Sequence, residues 1–268
     1  MNFNLLKKEL KFTYKNTILW SLLFVLFTGM YIPMSNQILS QSNNVLELIN
    51  NMPKFLLESF NFSEQIFTKP EGIFGSEGMS FVYLLGAVFS AMLVGKVFAD
   101  EYEKGTIEYL SVKPISRSTL YITKFTNIMI NILFLNIIFT LSVVSMYAIF
   151  MEYEYNPEIL LAFGIYSLTV QIFFSSISVI ISILTQNNSS NLGISLSILI
   201  FMYFGDTMAK TIEATSWIKY FSIFNYIPLM ETVLEEKVFW VNSLIILLIS
   251  FGIYYFSYYL FKNKDINV

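Results

Sequence analysis

The sequence predicts an all-α membrane protein that crosses the bilayer six times. Of its 268 residues, 55% are hydrophobic and only 13% are charged, whereas a soluble domain carries about 25% charged residues. The apolar residues lie in long uncharged runs, and a transmembrane helix needs about 20 such residues. We therefore expect the whole chain, residues 1–268, to form a single transmembrane domain.

Four uncharged runs hold one span each, and a fifth run holds two. The fifth, residues 159–205, is 47 residues long, which is too long for one helix. The polar septet at 185–191 divides this run, because its side chains cannot lie in hydrocarbon without partners. The six predicted spans are residues 17–36, 79–99, 120–150, 159–184, 192–209 and 240–261.

The distribution of Lys and Arg predicts the orientation. An even number of spans places both termini on one side of the membrane. The two termini, together with the connections at 96–124 and 185–191, carry 11 of the 16 cations. Cytoplasmic loops are enriched in Lys and Arg, so both termini are expected in the cytoplasm.

Two segments outside the spans are expected to be helical. Residues 3–16 have apolar side chains at helical spacing with four lysines between them, a pattern typical of a helix lying in the membrane interface. The alternative is a plain positively charged flank. Residues 210–239 include an aromatic, uncharged stretch of 11 residues, 220–230, a length that fits re-entrant outer helices. The alternative there is an aromatic belt on an ordinary outer loop.

Composition excludes several enzymatic chemistries. The chain has no cysteine and no histidine, so it lacks a thiol nucleophile, the commonest general base and the commonest zinc ligand. It also has no Gly-x-x-x-x-Gly-Lys-Ser/Thr run, the loop that holds nucleotide phosphates. We therefore expect no enzymatic activity, no catalytic or metal site, no cofactor bound by this chain, and no nucleic-acid partner.

The connection between the second and third spans is the most informative part of the sequence. Residues 100–117 read Asp-Glu-Tyr-Glu-Lys-Gly-Thr-Ile-Glu-Tyr-Leu-Ser-Val-Lys-Pro-Ile-Ser-Arg. This mixture of charges suits a protein partner better than lipid. Gly105 permits a bend, Pro114 ends a helix, and Ser116 or Ser118 can cap the third span.

This segment resembles the signature of the type-2 ABC exporter permeases. That family has an acidic pair, a Gly-Thr-Ile-Glu-type run and a Pro-Ile-Ser-Arg-type run here, and both runs occur in this chain, within 101–110 and at 114–117. In the family, the segment matching 101–111 forms a coupling helix that docks on the ATPase subunit. The resemblance implies this role for Glu101, Glu103, Gly105, Thr106, Ile107, Glu108 and Leu110.

The resemblance also implies the partners and the location. Two copies of an ABC ATPase would bind ATP and Mg²⁺, and a second permease half, identical or homologous, would lie beside this chain in the lipid bilayer. Permeases of this size and layout resemble exporters of antimicrobial or amphipathic peptides and antibiotic-efflux pumps of the bacterial cell membrane. The expected cargo is therefore hydrophobic or amphipathic. The alternatives are a secondary transporter, which usually needs a charge near the middle of a span, and a non-transporting immunity or assembly protein.

Polar residues within the spans are candidates for the translocation path. Asn127 and Asn131 lie one turn apart near the inner end of span three, while Gln171 and Ser175 lie on span four. Such side chains either line a path or join helices through hydrogen bonds. Joining helices is the favoured interpretation, and these four residues remain the candidates for the path.

Overall fold

A computed structural model describes residues 2–41, 64–103, 105, 116–211 and 213–263. Within these ranges the chain is helical and forms no strand. The α-helices are α1 Phe3–Ser40, α2 Phe74–Glu103, α3 Arg117–Phe150, α4 Pro157–Thr185, α5 Asn188–Thr211, α6 Leu229–Leu234 and α7 Trp240–Asn263. The 3₁₀-helices are Glu64–Thr68, Glu213–Phe221 and Ile223–Asn225.

The prediction of six membrane-spanning helices is confirmed. Helices α1, α2, α3, α4, α5 and α7 are each long and apolar enough to cross a membrane, and each contains one predicted span. The observed helices are longer because polar residues start them outside the apolar runs. The Ser116 hydroxyl accepts a hydrogen bond from the Thr119 N–H at 3.1 Å, so the predicted cap of the third span is present. Asn156 caps α4 in the same way.

The predicted division of the long uncharged run is also confirmed. Helix α4 ends at Thr185 and α5 begins at Asn188. Between them, Gln186 adopts a left-handed conformation with φ 54°, and its N–H donates to the Ser182 carbonyl at 3.0 Å. A left-handed residue after the last turn is a common helix ending, and here it reverses the chain direction.

The N-terminal segment is helical, as predicted, but it is continuous with the first span, and its position in the membrane interface stays a prediction. Helix α1 continues without a break for 38 residues, which is about 57 Å at a rise of 1.5 Å per residue. The hydroxyls of Thr13 and Thr17 donate hydrogen bonds to the side-chain carbonyls of Asn127 and Asn131, at 3.1 and 2.5 Å. These contacts align residues 3–16 with the span, so the boundary expected near residue 17 is absent.

Helices α1 and α3 run parallel in a constant register. Three hydrogen-bonded residue pairs join them, and the partners of each pair are separated by the same 114 positions: Thr13–Asn127, Thr17–Asn131 and Thr28–Ser142. From the first pair to the third the helix rises about 22 Å. A constant separation over that length means that the two helices start at the same end of the bundle and advance together.

Helix α4 occupies the centre of the bundle, where it contacts α2, α3, α5 and α7. Large buried rings fill the space between helices; Phe163 of α4, for example, meets Phe74 of α2 edge-on with 5.9 Å between ring centroids. Beyond α5, the short helices at 213–221, 223–225 and 229–234 precede α7. Short helices are therefore present before the last span, and their re-entrant position in a membrane stays a prediction.

Candidate functional site

The last turns of α2 carry the first of the predicted coupling residues. Gly95–Ala99 form a π-helical turn and Asp100–Glu103 form a final α-helical turn. Gly105 then has a φ of 65°, a conformation that glycine adopts at no steric cost, which agrees with the predicted bend. The other predicted coupling residues, Thr106, Ile107, Glu108 and Leu110, lie outside the described residues.

A buried charge cluster fixes the end of α2 to α3 and α1. The Lys124 ammonium on α3 lies 2.7 Å from a Glu101 carboxylate oxygen and 3.6 Å from a Glu9 carboxylate oxygen on α1. It also donates a hydrogen bond to the Val97 carbonyl and lies 5.5 Å from the centre of the Phe98 ring. Glu101 is thus held within the bundle, and its predicted contact with the ATPase stays a prediction.

The three charged side chains of this cluster are largely buried. The Lys124 side chain is 1% exposed, that of Glu9 7% and that of Glu101 18%. A buried charge is tolerated when it is paired and hydrogen-bonded. Removing one partner leaves the other charge buried without compensation, which destabilises the protein. Two carboxylates around one ammonium therefore tie three helices together at a single point.

The remaining carboxylates of this turn hold the start of α5. The Asp100 carboxylate accepts a hydrogen bond from the Asn188 side-chain amide at 2.7 Å, and the Glu103 carboxylate accepts one from the Asn188 backbone N–H at 3.1 Å. The first N–H groups of a helix lack intrahelical partners and carry partial positive charge. Glu103 therefore caps the backbone of α5 from another helix, while Asp100 holds the side chain of the same asparagine.

Gly95 allows α2 and α5 to approach closely. A Cβ atom at this position would lie 2.2 Å from the Asn188 side-chain oxygen and 2.9 Å from the Asn191 side-chain nitrogen. Asn191 in turn donates to the Ala91 carbonyl at 3.2 Å and accepts from the Ser178 hydroxyl at 3.0 Å. The end of α2 thus contacts α1, α3, α4 and α5, and Asn191 adds a polar link between α2, α4 and α5.

The four candidate path residues lie inside the bundle of this chain. Asn127 and Asn131 bond to α1 as described, Gln171 packs beside Gly86 of α2, and Ser175 accepts a hydrogen bond from the Tyr254 hydroxyl at 2.6 Å. All four are at most 3% exposed. They join neighbouring helices in this structure, and their role in a translocation path stays a prediction.

Sequence reasoning missed Lys124, Glu9 and Asn188 as members of the site. From the sequence alone, Lys124 is one of several cations in the 96–124 connection, and Asn188 is one of several polar residues in the 185–191 septet. Glu9 did carry a signal: after the adjacent pair Leu5 and Leu6, the buried residues of α1 recur every three or four positions as Glu9, Thr13, Thr17, Ser21, Phe24, Thr28, Ile32, Ser35 and Leu39. A carboxylate within such a stripe indicates a buried partner.

The fold and this site define a multi-pass helical membrane protein in which one helix end is tied to several spans. A sequence profile for a family described as "ABC-2 family transporter protein" matches residues 3–266. The chain belongs to this family of ABC-2 transporter proteins. The family implies a membrane permease subunit that works with an ATPase partner in the bilayer. A comparison with curated proteins gave no match.

Proposed function

We propose that this chain is the permease half of an exporter that moves a hydrophobic or amphipathic substrate, of the peptide class, out of a bacterial cell. A second permease half lies beside it in the membrane, and two copies of a separate ATPase dock on the segment that follows α2. Both termini and this segment face the cytoplasm. ATP and Mg²⁺ are bound by the ATPase partner.

The observation that carries the proposal is the attachment of the end of α2 to its neighbours. Glu101 is paired with Lys124 of α3 and Glu103 with the start of α5, while Glu9 brings α1 to the same point. Packed elements with fixed contacts move as units. A force applied to the segment after Glu103 therefore reaches three spans without any additional linker.

The exposed charges support the cytoplasmic position of this end. Lys7, Lys8, Lys11 and Lys15 on the first turns of α1 are all exposed. The α1–α3 register places these turns beside the start of α3, at the same end of the bundle as Glu101. Lysines near the ends of spans favour the cytoplasmic side.

The test should alter the docking segment and leave the buried cluster intact. Glu101→Lys would place a second cation against Lys124, so a loss of transport in that variant would not separate docking from folding. We would instead combine Glu108→Lys with Leu110→Asp in the full chain, co-expressed with its ATPase. The matched control is Glu152→Lys with Glu154→Lys, both exposed on the connection between α3 and α4.

Three measurements distinguish the possibilities: co-purification of the ATPase, ATP-dependent uptake of a fluorescent amphipathic peptide into inside-out vesicles, and the melting temperature of the chain. The docking variant should lose ATPase association and at least about tenfold in uptake, equivalent to about 1.4 kcal/mol, with an unchanged melting temperature. The control should transport normally. Normal uptake by the docking variant, or uptake only into right-side-out vesicles, would overturn the proposal.

A further inference from the structure

A cavity lies at the opposite end of the bundle from Lys124. It has a volume of about 330 Å³ and is lined by the start of α2, the end of α5 and the segment from Phe224 to Met230. Glu77 and Glu101 are 24 residues apart on α2, or about 36 Å of helix. The cavity is therefore remote from the proposed ATPase-docking end, and its chemistry needs a separate explanation.

Asp206 on α5 provides a buried acceptor that lacks a partner. It lines the cavity and is only 6% exposed. One carboxylate oxygen pairs with Lys210 at 2.7 Å, and the other oxygen is buried without a hydrogen-bond partner in the part of the chain that the structure describes. Leaving a buried acceptor unsatisfied destabilises the folded protein, and more so when the acceptor is charged. An unsatisfied carboxylate in the cavity wall therefore favours a positively charged ligand.

The charges around the cavity do not cancel. Glu77 and Asp206 contribute two carboxylates and Lys210 contributes one ammonium. Glu77 forms no ion pair with any residue that the structure describes, while Lys210 is committed to Asp206. With these groups ionised, the wall carries one net negative charge, which is complementary to a single positive charge on a ligand.

Aromatic rings form the apolar part of the wall. Tyr83 stacks on Phe224 with 5.5 Å between centroids, and Tyr203 meets Phe224 edge-on at 5.6 Å. The Tyr83 hydroxyl donates to the Ile227 carbonyl at 3.2 Å, which fixes its ring. Aromatic faces attract cations and pack against apolar groups.

We propose that this cavity binds an ammonium or guanidinium group attached to an apolar body. The cation lies between the carboxylates of Glu77 and Asp206, and the apolar body packs on Tyr83, Tyr203 and Phe224. A volume of 330 Å³ is at the lower limit of ligand pockets, which span roughly 300–1,000 Å³. It accommodates a small amine or one basic side chain, not a whole peptide. The site's place on an export route rests on the proposed function, but binding itself does not.

Binding can be measured on the full chain without the ATPase, so failure of this proposal is distinguishable from failure of the export proposal. The chain would be placed in nanodiscs of phosphatidylglycerol, which contain no lipid ammonium. Isothermal titration would compare 4-phenylbutylammonium with 4-phenylbutanol, an uncharged analogue of the same shape. The ammonium should bind at least about tenfold more tightly, and the preference should fall with added salt. Equal binding would overturn the proposal.

Three single variants locate the charge. Glu77→Gln and Asp206→Asn should each weaken ammonium binding by about tenfold or more, whereas Lys210→Gln should strengthen it by several-fold because a like charge is removed. Glu235→Gln, exposed and outside the cavity wall, should leave binding unchanged. Glu77 is exposed at the bundle end, so its variant keeps the test decisive if Asp206→Asn fails to fold. Wild-type affinity in Glu77→Gln, or weaker binding in Lys210→Gln, would contradict the assignment.

Competition identifies the source of the cation. Displacement of the probe by N-acetyl-Lys-Phe-amide would support a basic peptide side chain as the ligand. Weaker probe binding in nanodiscs that contain phosphatidylethanolamine would support a lipid headgroup. If neither competes, the supported ligand is a small free amine. Displacement of the probe by the uncharged N-acetyl-Leu-Phe-amide at the same concentration as the lysine peptide would refute charge recognition.

Discussion

The Lys124–Glu101 ion pair should contribute far more coupling energy than an exposed pair of the same length. The N–O distance is 2.7 Å for Lys124–Glu101 and 2.8 Å for Lys69–Glu236. The side chains are 1% and 18% exposed in the first pair, and 27% and 58% exposed in the second. The two pairs therefore differ mainly in how well solvent screens them.

Coulomb's law gives the scale of the difference. At 2.7 Å and an effective dielectric constant of about 20, the attraction has an upper limit of about 6 kcal/mol. At 2.8 Å in a water-like dielectric of about 80, it is about 1.5 kcal/mol. After solvation and side-chain entropy are included, we expect coupling energies of about 2–4 kcal/mol for the buried pair and below about 1 kcal/mol for the exposed pair.

A double-mutant cycle measures this coupling directly. Lys124→Met, Glu101→Gln and their combination would be unfolded by denaturant in detergent micelles, with the three tryptophans as fluorescent probes. Lys69→Met and Glu236→Gln form the matched cycle. Lys124→Met alone should lower the free energy of unfolding by about 3–5 kcal/mol, and adding Glu101→Gln should restore part of it. The conclusion that burial strengthens this ion pair would be refuted by equal coupling energies in both cycles. It would also be refuted if Glu101→Gln restored none of the stability lost in Lys124→Met.

Three further predictions follow from the helix contacts and the sequence. Gly95→Ala should lower the free energy of unfolding by about 1–3 kcal/mol, because its Cβ would clash with Asn188 and overpack the interface. The control, Gly193→Ala, has no atom within 4 Å of its Cβ and should leave the free energy of unfolding unchanged or slightly raised. An equal loss of stability in both variants would contradict this explanation. In intact cells, a single cysteine at position 154 of this cysteine-free chain should react with a membrane-impermeant label. Single cysteines at positions 2, 110 and 266 should react only after permeabilisation. Labelling of position 110 in intact cells would refute the predicted topology. The purified chain should bind no ATP in equilibrium dialysis, since its sequence lacks a phosphate-binding loop. Stoichiometric ATP binding would contradict this prediction.

The number and order of the spans were predictable because lipid imposes a simple requirement on the chain. Every span must satisfy its backbone internally and cover it with apolar side chains, and both features appear as local runs in the sequence. The break at 185–191 was predictable for the same reason. The continuity of α1 was not, because it depends on Thr13 and Thr17 finding partners on a helix more than a hundred residues later.

The charge cluster and the cavity could not be predicted because both assemble residues from distant segments. Lys124 lies 23 positions from Glu101 and 115 positions from Glu9, and no local periodicity reveals such a pairing. The cavity combines Glu77, Asp206 and Phe224 from three separate elements. The family signature predicted where the docking segment lies in the sequence. It could not show that the Glu101 side chain packs inside the bundle.

The constant separation of 114 residues between α1 and α3 has a consequence for synthesis of the protein. At about 5–20 residues per second, α1 waits about 6–23 s in the membrane before Asn127 and Asn131 are made. Meanwhile its hydroxyls have partners within their own helix: Thr13 donates to the Glu9 carbonyl at 3.2 Å and Ser21 to the Thr17 carbonyl at 2.8 Å. In the Thr13–Asn127 and Thr17–Asn131 pairs, the helix that is made first thus carries the hydroxyl groups, which tolerate lipid alone. The amides, which need a partner from another helix, are added only when that partner is already in place.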